Sequence, residues 1–333
     1  MFSRAPLRAA LFASTALVLA AAVAVAASER ARAARGRADT DDVSVIKIHY
    51  VTHDGLRRPA YVVLPAWSEQ VDRPLPLVIA PHGRGIHPLH ELREWRNLPA
   101  LGDFAVVIPA GQGRRLEYFS WGYAGQIADL ARMPQIVEHA LPWLRIDRRR
   151  VYAVGTSMGG QEALLLLARY PRRIAGVAAF DAAVDMTRRY RDFRSLVCDE
   201  RCLDEWRRPL GTDLQALARR EIGGTPKTNP QAYAARSPLT YARTIAFSGK
   251  PVELWWSRTD RVVDQSDLQS GLLFRRLREL NPDAPVEGFT GVWAHASEQR
   301  AFLPIALADL NLLPTDYGYE PARLRLLPAR VWP

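Results

Sequence analysis

Lysine is almost missing from this chain: Lys47, Lys227 and Lys250 are the only three among 45 basic residues, so arginine carries the formal net charge of +10. The arginines are scattered, and no zinc-finger, basic-zipper or RNA-recognition signature accompanies them, which argues against a nucleic-acid-binding protein. A diffuse positive surface still suits a weak attraction to anionic cell-wall polymers or membrane surfaces. Cysteine is limited to Cys198 and Cys202. With no further ligands and no base nearby in sequence, neither a metal site nor a catalytic thiol is expected of them. Internal repeats are absent, and the 21 glycines and 24 prolines are too dispersed to mark a linker. What is present is 333 residues, 48% hydrophobic and 24% charged, the balance of a globular chain that can bury a large core. One α/β domain with decorations is expected.

Arg4 and Arg8 precede an alanine-, leucine- and valine-rich run over 9–27 that ends in small residues before Ser28 and Glu29. This layout predicts an export signal over 1–27 in preference to an uncleaved membrane anchor. No cysteine follows the run, so it is not a lipoprotein signal. Residues 28–42 are rich in Ala, Arg and Asp without apolar periodicity and read as a flexible leader, which puts the folded domain at 43–333. An exported chain, free of stable membrane insertion once the signal is cleaved, meets an oxidising environment, so Cys198 and Cys202 are expected to pair. Closing so short a loop contributes ~2 kcal/mol on the chain-entropy estimate.

Two apolar, β-branched stretches, 43–50 and 58–64, flank the turn residues His53, Asp54 and Gly55 and predict an antiparallel hairpin. Short apolar strands are then expected at 75–80, 104–109, 151–155, 174–180, 252–256 and 284–289, with helices at 125–144, 160–170, 267–280 and 297–310. Strands alternating with helices imply a mostly parallel central sheet with helices on both faces. Residues 182–250 break the alternation, and an insertion of that length above a sheet reads as a cap or lid.

Gly155-Thr156-Ser157-Met158-Gly159-Gly160 matches G-x-S-x-G at the point where a strand ends and a helix begins. A serine there sits on a tight, strained turn with its hydroxyl above the sheet edge. Side chains at Gly155 and Gly159 would strike the crossing backbone. The following helix aims its free N–H groups at the reacting centre. Ser157 needs a base, and the base needs a carboxylate to hold its tautomer. Of the seven histidines only His295 follows Ser157, in a loop between the last expected strand and a helix. Asp260, just past a strand, is the favoured acid, with Asp181 next. Asp185 also follows a strand and remains a further variant, whereas Asp264 and Asp267 read as helix caps.

The oxyanion of acyl transfer needs backbone donors. Met158 N–H supplies one, and the Gly83 or Arg84 N–H in Ala80-Pro81-His82-Gly83-Arg84-Gly85 the other. His82 reads as a structural residue that orients this loop. Trp121 and Tyr123 line a substrate pocket or simply pack an aromatic loop on the core, since burial and binding draw on the same residue types.

With the HGRG loop, GTSMGG, Asp260 and His295 in this order, the chain from Val43 to Leu310 resembles the α/β-hydrolase superfamily. Within it the chain is similar to exported bacterial esterases of the feruloyl, acetyl-xylan and polyhydroxybutyrate-depolymerase kinds. It also resembles the catalytic domain of the prolyl oligopeptidase family, although no repeated blade pattern for that family's propeller is present. The resemblance implies the α/β-hydrolase fold and a secreted serine hydrolase acting on small or polymeric carboxylic esters, with no metal or organic cofactor. The alternatives are a peptidase acting on small peptides or amides and a catalytically silent extracellular binding module.

Overall fold

The computed structural model describes residues 42–70, 72–95, 97–196, 212–314 and 327–328. The expected export signal, nearly all of the leader and the Cys198–Cys202 pair lie outside the described residues. The chain opens with the expected hairpin, β1 (Val43–Val51) and β2 (Arg57–Pro65), paired antiparallel with Ile46 opposite Val62. There follow β3 (Leu75–Ile79), α1 (Pro88–Trp95), α2 (Leu98–Gly102), β4 (Ala105–Pro109), α3 (Ala124–Ala140), β5 (Ile146–Thr156), α4 (Met158–Arg169) and β6 (Gly176–Phe180). The long connection carries α5 (Met186–Asp192), α6 (Thr212–Ala218) with a π-helical turn at Arg219–Gly223, α7 (Pro230–Ala235) and α8 (Ala242–Ala246). Then come β7 (Val252–Ser257), α9 (Ser270–Leu280), β8 (Val286–Gly291), α10 (Gln299–Asp309) and β9 (Leu327–Pro328).

Among the described residues nine strands form one sheet in the order β1-β2-β4-β3-β5-β6-β7-β8-β9. From β4 to β8 neighbouring strands run parallel, and the antiparallel pairs lie at the two edges. The order reverses between β3 and β5. The loop leaving β3 therefore turns one way and the loop leaving β5 the other, which opens a crevice at the carboxyl ends of the strands.

Both faces of the sheet are covered. On β3, Leu75, Leu77 and Ile79 enter one core with α3, α4 and α9, while Val78 and Ala80 enter the other with Trp95 of α1 and Phe302, Leu303 and Leu307 of α10. This period-two alternation between two apolar faces is why parallel strands read as continuous hydrophobic runs. A third cluster joins Met186, Tyr190 and Phe193 of the insertion to Trp121 and Met158. Among the described residues no helix is long and apolar enough to cross a membrane.

Several elements differ from the sequence expectation. Helices α1 and α2 are additional, short and proline-started, with too few turns to produce a clear apolar period. Strand β5 begins at Ile146 rather than 151, and its polar Asp147-Arg148-Arg149-Arg150 segment extends past β3 through a register shift. Exposure of that segment hid the strand from an apolar pattern. Asp267 was expected to cap α9, but the chain first makes a 3-10 turn at Ser266–Leu268, and the Asp267 carboxylate accepts Trp256 Nε1–H at 2.7 Å instead. Asp264 accepts the N–H of Gln265 and caps no helix.

Candidate active site

Ser157 occupies a backbone conformation, φ 58° and ψ −121°, that L-residues seldom adopt. Its N–H donates to Phe180 O at 2.8 Å, tying the turn to the end of β6. The glycines around it permit the bend. A Cβ on Gly155 would lie 2.6 Å from Gly159 C, and one on Gly159 would lie 2.1 Å from Pro81 O. The turn and the loop after β3 are thus in backbone contact, which only glycine allows. Met158 N–H heads α4, where no intrahelical acceptor exists.

The loop after β3 is held by His82. Its Nε2 accepts Gly111 N–H at 2.8 Å and its Nδ1 sits 2.7 Å from Gly83 O, the arrangement of a neutral ring donating from Nδ1. Burial pushes its pKa down to about 4, which keeps the ring neutral. Gly83 N–H makes a long bond, 3.4 Å, to Glu91 Oε1. The Glu91 carboxyl is itself pushed up to about 7 by burial.

His295 and Asp260 meet in the loops after β8 and β7, with His295 Nδ1 2.7 Å from Asp260 Oδ2. The other carboxylate oxygen of Asp260 accepts the N–H groups of Val262 at 2.7 Å and Val263 at 2.9 Å. Burial raises the Asp260 pKa, but the His295 charge and these hydrogen bonds outweigh it and hold the carboxyl below its usual range. Burial lowers His295, yet the charges of Asp260 and Asp181 and the Asp260 hydrogen bond win and leave the imidazole above its usual value. Among the described residues no hydrogen bond joins the Ser157 hydroxyl to the His295 ring.

Asp181, the second acid candidate, does something different. At the end of β6 it accepts from Ser257 N–H at 3.0 Å, Trp293 Nε1–H at 3.0 Å and Ala296 N–H at 3.0 Å. One carboxylate therefore fastens the end of β7 to both flanks of His295. Burial drives its pKa up, opposed by His295. Ligand atoms of Asp181, Asp260 and His295 lie within 4.8 Å of one another, but the donors around both carboxylates already account for that cluster without a metal ion. Asp185 caps α5, accepting Thr187 N–H and Arg188 N–H.

Ser157, Met158, Arg84 and Trp121 line one narrow pocket, together with Gln161, Ala183, Arg189 and Val263. Trp121, at φ 42°, donates its N–H to Met158 Sδ at 3.3 Å. Tyr123 is not in that lining. Its ring packs 5.3 Å from His53 and beneath the Arg236 guanidinium. Sequence reasoning passed over Arg189, Gln161 and the Glu162 carboxylate, which accepts from Ser120 and Gln126 under the aromatic loop and is pushed up to about 7 by burial. The mark of Glu162 was available: a carboxylate among the apolar residues of the motif helix. Arg189 had no such mark among so many arginines.

No family model matches the chain, and no curated protein matches it. Solved structures do match its fold. An acylaminoacyl peptidase from Pyrococcus horikoshii superposes with a TM-score of 0.59 at 14% identity, over 80% of this chain and 41% of that one. An esterase from Pyrobaculum calidifontis gives 0.56 at 17% identity, over 80% of this chain and 85% of that one. A ferulic acid esterase gives 0.53 at 17% identity, over 81% and 98%. The chain thus spans less than half of the peptidase and nearly all of the ferulic acid esterase. With a mostly parallel sheet in this strand order, helices on both faces and these neighbours, the chain has the α/β-hydrolase fold.

Proposed function

We propose that the protein is a serine hydrolase that cleaves carboxylic esters through an acyl-enzyme intermediate. The observation that carries this reading is the 2.7 Å His295–Asp260 hydrogen bond, formed at the same edge of the sheet as the strained Ser157 turn. Ser157 Oγ attacks the ester carbonyl and gives its proton to His295 Nε2, while Asp260 holds Nδ1–H and steadies the imidazolium. Met158 N–H and the N–H of Arg84 or Gly83 receive the developing oxyanion. His295 then protonates the leaving alcohol, and a water activated by the same ring releases the acid. Ser157 and His295 close to hydrogen-bond distance when substrate fills the pocket, as unliganded catalytic pairs commonly do.

The insertion over 182–250 is the cap of this site. Its apolar cluster rests on Trp121 and Met158, which supports that role. The segment over 1–27 directs export, so the substrates are extracellular esters, small or polymeric. The likeness to an acylaminoacyl peptidase supports a second reading, amide cleavage at the same site. Purified protein assayed on a short-chain nitrophenyl ester and its matched anilide separates the two. Ser157→Ala is expected to lower ester turnover by on the order of 10⁴-fold or more and to abolish labelling by a fluorophosphonate probe. An undiminished rate in that variant overturns the proposal.

A further inference from the structure

The pocket beside Ser157 is lined by two arginines, Arg84 from the loop after β3 and Arg189 from α5. Both are buried, at 9% and 4% exposure. Each lies over an aromatic face, Arg84 at 5.8 Å from the Phe119 ring and Arg189 at 4.6 Å from the Phe193 ring. For Arg189, that stacking orients the guanidinium plane without engaging its N–H donors.

Arg189 leaves a donor open. Among the described residues its Nη1 has no hydrogen-bond partner, although the atom is shielded from solvent. The carboxylates that act on Arg189 are Asp260, Asp192 and Asp264. Asp260 has its oxygens engaged by His295, Val262 and Val263, so it stabilises Arg189 through space and leaves the Nη1 donor open. Burial pushes Arg84 down to about 9, with the Arg189 charge adding to the effect, and burial pushes Arg189 down to about 10. A buried guanidinium with an unpartnered donor in the lining of the pocket beside Ser157 is a place where an anion would complete a hydrogen bond. A planar carboxylate matches the guanidinium fork, and such charge-assisted bonds are among the strongest that proteins make.

We propose that Arg189 and Arg84 form a carboxylate subsite, so that the preferred ester carries an ionised carboxylate group near the bond Ser157 attacks. This rests on the hydrolase reading for its reaction and on the open donor for its specificity. In wild-type protein, kcat/KM is compared between monomethyl glutarate and methyl hexanoate, which places the anion on the acyl side. The second pair, 3-acetoxybenzoate against 3-methylphenyl acetate, places it on the leaving side. The anionic ester of at least one pair is expected to lead by about tenfold or more. That ratio is expected to collapse toward unity in Arg189→Gln and to recover in part in Arg189→Lys. Calorimetry with glutarate and the Ser157→Ala variant provides a measurement independent of turnover, and binding is expected to vanish when Arg189→Gln is added.

Neutral esters leading in both pairs, with no glutarate binding, overturns the subsite and leaves the hydrolase reading standing. Glutarate binding that depends on Arg189, in a protein that turns over no ester, keeps the subsite and overturns the hydrolase reading. Should Arg189→Gln fail to fold by circular dichroism, the wild-type ratios and glutarate binding by Ser157→Ala decide between these outcomes.

Discussion

The strand-end loops carrying Ser157, Asp260 and His295 and the helices inserted between β6 and β7 meet at one pocket but use their polar groups differently. On the strand side the two carboxylates around the His295 ring have their valences closed within the protein, although the hydroxyls of Thr156 and Thr290 find no partner among the described residues. Asp260 is held by three donors, and Asp181 ties β7 to the His295 loop through three more. Beneath them Trp255 stacks on Phe289 at 4.0 Å and on Phe302 at 5.1 Å, a rigid bed for the loops after β7 and β8. The insertion also anchors itself with buried charge. Glu221 accepts the N–H groups of Arg114, Arg115 and Leu116, and Arg236 Nη1 donates to Ser120 O. Yet Arg189, which lines the pocket, has its Nη1 without a hydrogen-bond partner among the described residues. Closed valences hold a geometry that must not move, and the open donor on a buried charge is where the proposed carboxylate would bind.

That contrast makes Asp260 the most sensitive carboxylate on the strand side. Asp260→Asn is expected to lower kcat/KM by on the order of 10⁴-fold, through loss of the tautomer and of imidazolium stabilisation. The same substitution moves the acid limb of the pH profile. In the wild type His295 is raised, so the limb stands above the ordinary histidine value of about 6.5. Without Asp260, burial and the Arg189 charge pull it downward, and a limb that stays in place would remove Asp260 from the proton-transfer pair. The stability linkage has two signs. The raised His295 contributes stability that is present below its unfolded pKa and lost as pH rises through its folded one. The depressed Asp260 contributes stability that is lost as pH falls through its folded value.

Asp181→Asn tests whether the second carboxylate positions or reacts. An amide nitrogen would confront either the Ser257 N–H or the Trp293 and Ala296 N–H groups, so a kcat loss of about 10²-fold is expected from a displaced His295 loop. A loss equal to that of Asp260→Asn would instead make Asp181 the reacting acid. Smaller still is the effect of Gly159→Ala on folding. Its Cβ meets Pro81 O, and forcing the turn and the loop after β3 apart is expected to cost about 1–3 kcal/mol, read as a lowered denaturation midpoint. An unchanged midpoint would show that the two backbones separate freely.

Much of this was legible locally. The hairpin, the parallel strands and the Ser157 turn follow from runs of apolar residues and from glycines a few positions apart, because those constraints act between chain neighbours. His295 was singled out by chain order, as the sole histidine after Ser157, and its base role remains part of the proposal. The polar start of β5 and the short helices α1 and α2 escaped because exposure and brevity erase periodicity. Trp121 and Tyr123 read alike as aromatic loop residues, yet only Trp121 reaches the pocket lining.

The sequence by itself determined where the strained strand-to-helix bend falls and offered His295 as the proposed partner of Ser157, since steric demand at such a turn and the scarcity of histidine leave few choices. Only the tertiary structure decided that the Asp260 carboxylate, rather than Asp181, bonds the His295 ring, and that Arg189 among so many arginines lines the pocket with Ser157 and has a donor unfilled. The reason is physical: two aspartates at the ends of adjacent parallel strands are equivalent as letters. Their roles differ by the direction in which loops distant along the chain bend back over the sheet.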